Sequence, residues 1–430
     1  MEGSFSNDKM SRRKFLRTSA AGVAASSVLL GGYSNGLAAP SERVRIAVIG
    51  VGGQGSGHAE GWAKMEETEL VAVCDVDPKH RNEVAKETNS KPVADYRRVL
   101  DDKSIDAVSI ATPDHWHTPV ALAALVAGKH VYVEKPCCHN IREGQLLVKA
   151  AKQFGKCVQH GTQYRGDDDA IEGIKQLGEG VIGEMYLAKA INHQRRRKIG
   201  HAPVEDPPAG VNYDLWLGPA PVHPFTKNRW HYKWHWFWDY GTGDMGNDGI
   251  HQVDVARWGL GQMYPKASLV SGGQLWYDDD HQTPDTQTVV FEYEGRHLIF
   301  EMRLWTPYKL EGHDNGVVFY GTKGKMEIGR RGCHVIVDGE EKKIKGQGNS
   351  GGIRKNFVEC IKANDPSKLL APIDEGFASA VLCHIGNIGV RLGGARLEYD
   401  GVNHRFTNNS EANKYLSREY RKGYELAYTG

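Results

Sequence analysis

Three glycines and one acid carry the first chemistry in this chain. Gly50, Gly52 and Gly55 stand in the spacing G-x-G-x-x-G within Gly50-Val51-Gly52-Gly53-Gln54-Gly55, and Asp75 follows Gly55 by 20 residues. Gly50 permits a tight turn, Gly52 lets the backbone approach a diphosphate, and Gly55 lets a helix pack closely on its strand. Gly53 and Gln54 lead into that helix, whose N-terminus faces phosphate charge. A carboxylate at position 75 accepts hydrogen bonds from adenosine ribose hydroxyls and repels a 2′-phosphate. The pattern therefore predicts NAD rather than NADP. Such spacing alone is weak evidence, since a glycine-rich turn with no ligand gives the same letters. The flanking elements decide between the two.

Those elements are present. Residues 44–50 are a continuous apolar run with β-branched residues, as expected for a strand buried on both faces. Gly57 to Glu67 has helical spacing, and Leu70 to Cys74 is a second strand ending at Asp75. Ile105–Ala111, His130–Val133 and Cys157–His160 read as further strands, with helices at Pro119–Ala127 and Ile141–Phe154, each stopped by a glycine. Alternation of this kind predicts an α/β fold, a Rossmann doubly wound parallel sheet. After about Gly161 the pattern changes. A helix is predicted at 167–178. Period-two segments follow at Met185–Asn192, Ala267–Leu275, Thr286–Tyr293, His297–Leu304, Val317–Tyr320, Lys325–Ile328 and His334–Val337. They predict a C-terminal α+β domain with an open, largely antiparallel sheet, packed on one face by helices at Asn247–Trp258 and Asp374–Leu392. The predicted organisation is a leader at 1–39, a nucleotide-binding domain at 40–162 and a substrate-binding and oligomerisation domain at 163–430.

Two more segments sit at carboxyl ends of parallel strands, where such sheets bind ligands. They are Ala111-Thr112-Pro113-Asp114-His115-Trp116-His117 and Val133-Glu134-Lys135-Pro136. With the glycine turn, and with Gly241-x-Gly243 leading to His251-x-x-Asp254, they resemble the Gfo/Idh/MocA family. That family includes glucose–fructose oxidoreductase and inositol dehydrogenase. The resemblance covers nearly all of the chain beyond the leader. It implies that Thr112, Pro113, His117, Glu134 and Lys135 border the cofactor, and that Lys135 lies beside both the nicotinamide and a reacting hydroxyl. An ammonium there can hydrogen-bond the substrate oxygen and stabilise developing alkoxide charge.

In the same resemblance His251 holds the catalytic histidine position, able to take the hydroxyl proton as hydride leaves. Four residues earlier many family members have an aspartate; this chain has Asn247. Asn can position a hydroxyl but cannot accept a proton as a base. Asp248 is adjacent but points about 100° away on an ideal helix. The expected proton acceptor is thus His251, or Lys135 in its neutral form. Asp254 either supports His251 or pairs with Arg257 on the helix surface.

The substrate side offers aromatic rings. Trp230, His231, Trp234, His235, Trp236, Trp238 and Tyr240 crowd together just before Gly241. Trp faces stack on pyranose C–H faces, so Trp234 and Trp236 suggest a carbohydrate pocket; interdomain packing is the alternative. Tyr164 and Arg165 match a family segment that contributes to that pocket. His231, His235 and Asp239 have no spacing that fixes a third metal ligand, so no metal site is expected. The basic run Arg195-Arg196-Arg197-Lys198 reads as a solvated face or an inter-subunit contact.

Composition narrows the partners. The 430 residues carry a formal net charge of +1, which gives no reason to expect nucleic acid. The seven cysteines include no C-x-x-C pair, and small buried thiols are expected rather than disulfides or zinc. At the N-terminus, Ser11-Arg12-Arg13-Lys14-Phe15-Leu16-Arg17 precedes a mildly apolar run, Ala20–Leu30, and small residues at Leu37-Ala38-Ala39. This order is that of a signal peptide, with paired arginines marking the twin-arginine type, and the run is too short for a membrane anchor. Such a signal predicts folded export to the periplasm or beyond through the twin-arginine translocase, with NAD carried along and held tightly.

Three functions follow. The first is an NAD(H)-dependent oxidoreductase acting on a ring hydroxyl of a sugar, glycoside or cyclitol. The second is a redox-neutral enzyme with built-in NAD, either a glycosidase or a sugar–sugar oxidoreductase. The third is a non-catalytic dinucleotide-holding protein, against which Lys135 and His251 argue. A dimer or tetramer is expected through the open sheet.

Overall fold

The computed structural model describes residues 43–430, so the predicted leader lies outside the described residues. Strand β1 (Val44–Ile49) is apolar and almost wholly buried, because strands of the same sheet flank it on both sides and helices cover both faces. It leads through the glycine turn into α1 (Gln54–Lys64), which starts three residues earlier than its apolar spacing suggests. The sheet continues with β2 (Thr68–Cys74), β3 (Lys91–Val93), β4 (Ala107–Ile110), β5 (His130–Val133) and β6 (Val158–His160). All pairs are parallel and the order is β3-β2-β1-β4-β5-β6. The order reverses direction at β1 and β4, and ligands bind at such a switch point.

Between these strands run α2 (Pro78–Thr88), α3 (Tyr96–Asp101), α4 (Asp114–Val126) and α5 (Ile141–Phe154). Helix α4 differs from expectation. It begins at Asp114 rather than Pro119, so the Asp-His-Trp-His letters form its first turn instead of extending β4. Pro119, the expected start, instead lies inside the helix at its sixth position, where it removes one intrahelical hydrogen bond.

Beyond α6 (Asp168–Gly178), β7 (Met185–Asn192) and α7 (Tyr213–Leu217), an irregular stretch ends in a π-helical turn at Met245–Gly249. That turn runs directly into α8 (Ile250–Leu260). The second sheet holds β7 and β8 (Ala267–Gly273), β9 (Thr286–Tyr293), β10 (Arg296–Arg303), β11 (Asn315–Gly321), β12 (Gly324–Gly329), β13 (Gly332–Val337) and β14 (Glu340–Ile344). After α9 (Gly352–Ala363) and α10 (Ile373–Arg391), β15 (Arg396–Asp400) and β16 (Arg405–Phe406) complete it, before α11 (Ser410–Asn413). Its order is β14-β13-β12-β11-β7-β10-β9-β8-β15-β16, antiparallel except between β7 and β10. In β9 burial alternates strictly, with Val289, Phe291 and Tyr293 facing the helices. Helix α8 covers β7 and β11, α10 covers β8, and α6 covers β12 and β13.

One packing feature brings the C-terminal part of the chain back onto the first sheet. Helix α9, which sequence patterning did not pick out, lies on the first sheet. Phe357 meets Trp62 and Tyr132 at centroid distances of 6.3 and 5.9 Å. Gln159 at the end of the parallel sheet donates to the Ile353 carbonyl at 2.8 Å. Among the described residues all seven cysteines are free and buried, as their scattered spacing predicts. No described helix is long and apolar enough to cross a membrane.

Candidate functional site

A cleft of about 440 Å³ opens along the carboxyl ends of β1, β2, β4 and β5, and the aromatic stretch and the π turn close its far side. Its nucleotide end is built from the glycine turn. Gly50 has φ of +85°, and a Cβ there would lie 2.7 Å from the Thr112 backbone. A Cβ on Gly55 would come 1.7 Å from the Gly50 carbonyl, so this residue serves the cleft by letting α1 pack onto β1. Gly53 faces open space at the head of α1, and Gln54 lines the same wall. The Asp75 carboxylate accepts from Val51 N at 2.8 Å and from Asp77 N at 2.9 Å, which fixes the turn against β2. Burial raises its pKa; the backbone donors oppose that rise. Val76, Ala94 and Tyr96 add an apolar wall beyond Asp75 that the sequence reading did not include.

The two motif loops meet at the other end. His117 sits between the carbonyl oxygens of Thr112 and Pro136, 2.8 and 2.6 Å from its two ring nitrogens. It thereby ties the end of β4 to the Glu134-Lys135-Pro136 segment. Burial would raise the Glu134 carboxyl, but the His58 ring nitrogen 3.0 Å away and the Lys135 charge outweigh it. The group is held well below the usual carboxylate range. Thr112 Oγ1 is buried with no protein partner. An uncovered helix start, a Gly52 that lets backbone approach, and this orphaned hydroxyl suit a dinucleotide laid from Asp75 toward Lys135.

Lys135 Nζ donates to Asn247 Oδ1 at 3.1 Å, and Asn247 Nδ2 donates to Asp244 Oδ1 at 2.9 Å. His251 lines the same cleft. Burial, then the Lys135 charge, pushes its imidazole down to about 4, so the ring is neutral at ordinary pH. Its Nδ1 has no protein partner.

Asp248 departs from the sequence reading. On an ideal helix it turns away from Asn247 and His251, but the chain here is a π turn, whose i→i+5 bonding widens the spiral. The turn needs glycines within it to pack closely: a Cβ on Gly246 would lie 1.9 Å from Thr242 Oγ1, and one on Gly249 would lie 2.7 Å from the Phe300 ring. Asp248 consequently joins the cleft wall. Burial and the neighbouring Asp244 push its carboxyl up to about 6, while Arg196 and Lys135 pull the other way. Arg196 Nη2 lies 3.2 Å from both Asp244 and Asp248. This arginine therefore turns inward, whereas Arg195, Arg197 and Lys198 are exposed as a solvated run should be. The one hint of the turn was the crowding of glycines at 241, 243, 246 and 249, which a plain helical template overlooks; nothing in the sequence marked Arg196.

The substrate-side residues divide. Trp234 lines the cleft, stacked on His235 at 3.6 Å between centroids. Trp236 does not; it is 2% exposed and packs on His281 in the core. Tyr164 packs against the core rather than the cleft. Arg165 and Asp254 are also not in the cleft. They form a buried bidentate pair, with Nε to Oδ2 at 2.8 Å and Nη2 to Oδ1 at 2.9 Å. Asp254 accepts from Ser379 Oγ at 2.6 Å as well. It also pairs with Arg257 at 3.7 Å, as the spacing allowed, but inside the core rather than on the helix surface, and it is not hydrogen-bonded to His251. The physical reason is that α10 covers this face of α8, where a lone carboxylate needs its partners close by. His231, His235 and Asp239 do not converge, since Asp239 pairs with His223 at 2.8 Å.

Comparison with known proteins agrees with this geometry. Residues 44–162 match the profile of an oxidoreductase family described by its NAD-binding Rossmann fold, and residues 195–426 match that family's C-terminal alpha/beta domain. The chain belongs to the Gfo/Idh/MocA family. NAD is the nucleotide for which its first domain is built. Among curated proteins, a glycosyl hydrolase family 109 protein of Shewanella pealeana is 31% identical over 209 residues, 42% of this chain and 46% of that one. An alpha-N-acetylgalactosaminidase of Shewanella oneidensis is 31% identical over 167 residues, 36% of each chain. The chain thus spans less than half the length of these curated relatives. Among solved structures, the WlbA dehydrogenase of Bordetella pertussis, in complex with NADH and UDP-GlcNAcA, superposes with a TM-score of 0.65. It is 20% identical, over 83% of this chain and 99% of that one.

Proposed function

We propose that this protein oxidises a ring hydroxyl of a sugar, glycoside or cyclitol with NAD, residues 40–162 holding the nucleotide and 163–430 shaping the substrate pocket. The observation that carries the reading is the meeting of Lys135, Asn247, Asp248 and His251 in the cleft that begins at the glycine turn. Bound NAD supplies the hydride acceptor. The protein's own part is to bind, orient and move a proton. The Lys135 ammonium donates to the substrate oxygen and stabilises negative charge on it. Asn247 anchors that ammonium through its carbonyl oxygen. Asp248, pushed up to about 6, is a carboxylate near neutrality with enough basicity to accept the hydroxyl proton. His251 is neutral and can accept the same proton or hydrogen-bond the adjacent hydroxyl. Trp234 offers an apolar face to the ring.

A redox-neutral glycosidase is the second reading. It is favoured by the family 109 relatives, one of them an alpha-N-acetylgalactosaminidase. Oxidation at a ring carbon would acidify the neighbouring C–H, let the aglycone leave by elimination, and be reversed after water adds. Net chemistry is then hydrolysis with the nucleotide restored. Folded export is proposed on the Arg12-Arg13 leader, and a tightly held nucleotide follows from export to a compartment without free NAD. Self-association is proposed through the uncovered face of the second sheet. Purified protein given chromogenic glycosides and no added NAD separates the readings: many turnovers per protein molecule support the glycosidase, and a single stoichiometric oxidation supports the dehydrogenase.

A further inference from the structure

Outside the reacting end of the cleft, three ligating side chains converge where α2 begins. Asp77 caps α2 with Oδ1, which accepts from Lys79 N at 2.8 Å. Its other oxygen, Oδ2, lies 3.8 Å from His80 Nδ1 and 3.4 Å from His231 Nε2. One ligand atom from each of the three residues falls within 4.8 Å of the other two. Two bonds of zinc length set at the tetrahedral angle place ligand atoms about 3.4 Å apart, so the spacing needs little adjustment. His80 Nδ1 is buried and makes no hydrogen bond. His231 is held at φ of +47°, a left-handed conformation that a non-glycine residue keeps only when its surroundings require it. Asp77 and His80 belong to the nucleotide-binding half, while His231 opens the 3₁₀ turn His231–Trp236 that carries Trp234 and His235.

We infer that Asp77, His80 and His231 form a binding site for one divalent transition-metal ion of the zinc class, with an open coordination position. Two imidazoles and one carboxylate are the ligand chemistry such an ion selects, and three protein ligands leave a fourth position for water or a phosphate oxygen. The site lies against the glycine turn: a Cβ on Gly52 would lie 3.1 Å from His80 Nδ1 and 3.7 Å from His231 Nδ1. The ion pins the aromatic segment to the nucleotide-binding half. The assignment does not depend on which substrate the protein oxidises.

Zinc chloride titrated calorimetrically into the full-length protein, after dialysis against a chelator, tests it. One equivalent should bind saturably. His80→Gln and His231→Gln should each weaken binding at least tenfold, and Asp77→Asn should weaken it while keeping the helix cap. His201→Gln should leave it unchanged, because His201 sits in a separate exposed acidic cluster with Asp278 and Asp280. His231 is 40% exposed, so its substitution leaves the fold intact, and circular dichroism verifies each variant. Cobalt as a spectroscopic probe should give the strong visible bands of a low-coordinate site. Absence of saturable binding overturns the inference, as does binding that persists in both histidine variants or is lost in His201→Gln.

Discussion

Asp248 and His251 compete for one role, and their ionisation separates them. A proton acceptor must be deprotonated, so activity falls as pH drops through the acceptor's pKa. With Asp248 as acceptor, kcat/KM falls below about pH 6, and Asp248→Asn removes that limb along with most turnover. With His251 as acceptor, the limb sits at about 4 and survives in Asp248→Asn. A pH–rate profile of the two proteins decides. Asn247→Ala frees the Lys135 ammonium from its 3.1 Å anchor and should lower kcat roughly tenfold to a hundredfold with little change in KM. Steady-state kinetics would count against that positioning role if KM alone moved.

At the scale of elements, the glycine turn and the α8–α10 interface make separate demands. Gly55→Ala forces a methyl into the Gly50 carbonyl and should destabilise the protein by about 1–3 kcal/mol while weakening nucleotide binding. Denaturant melting and nucleotide titration of the variant check both effects. Asp254→Asn leaves Arg165 short of its buried partner and should cost about 3–5 kcal/mol, with kcat/KM of the folded protein nearly unchanged. Lost turnover at full stability would instead tie Asp254 to His251. These elements also show what the sequence could disclose. The parallel sheet was legible because buried strands are apolar throughout and glycines end the helices. The alternating strands from Met185 to Val337 were legible because one face is buried. Helix α9 was not, since its apolar side completes a core formed by residues nearly 300 positions earlier, with Phe357 on Trp62. The site was legible where it lies on strand ends, at Asp75, Thr112 and Lys135. It was not legible at Asp248 and Arg196, because a π turn changes which side chains share a face and no single helical period reports it. Arg165 and Asp254 carried a motif's letters but answer to charge pairing inside the core.

For the whole molecule, the reach of the C-terminal half onto the nucleotide-binding domain is the important fact. Helix α9 packs on the nucleotide-binding sheet, and the aromatic segment leans over the glycine turn. A dinucleotide in the cleft is held by the glycine turn on one side and covered by the aromatic segment on the other. The protein should therefore retain NAD through desalting, seen as near-stoichiometric nucleotide in the absorbance of the purified sample. The most direct test of the central claim is to mix this NAD-loaded protein with a panel of sugars and glycosides and follow nucleotide reduction in a single turnover. The account predicts a reduction phase with at least one sugar, slowed at least about a hundredfold in Lys135→Ala. An equal rate in Lys135→Ala, or no reduction with any sugar while the nucleotide is bound, would contradict it.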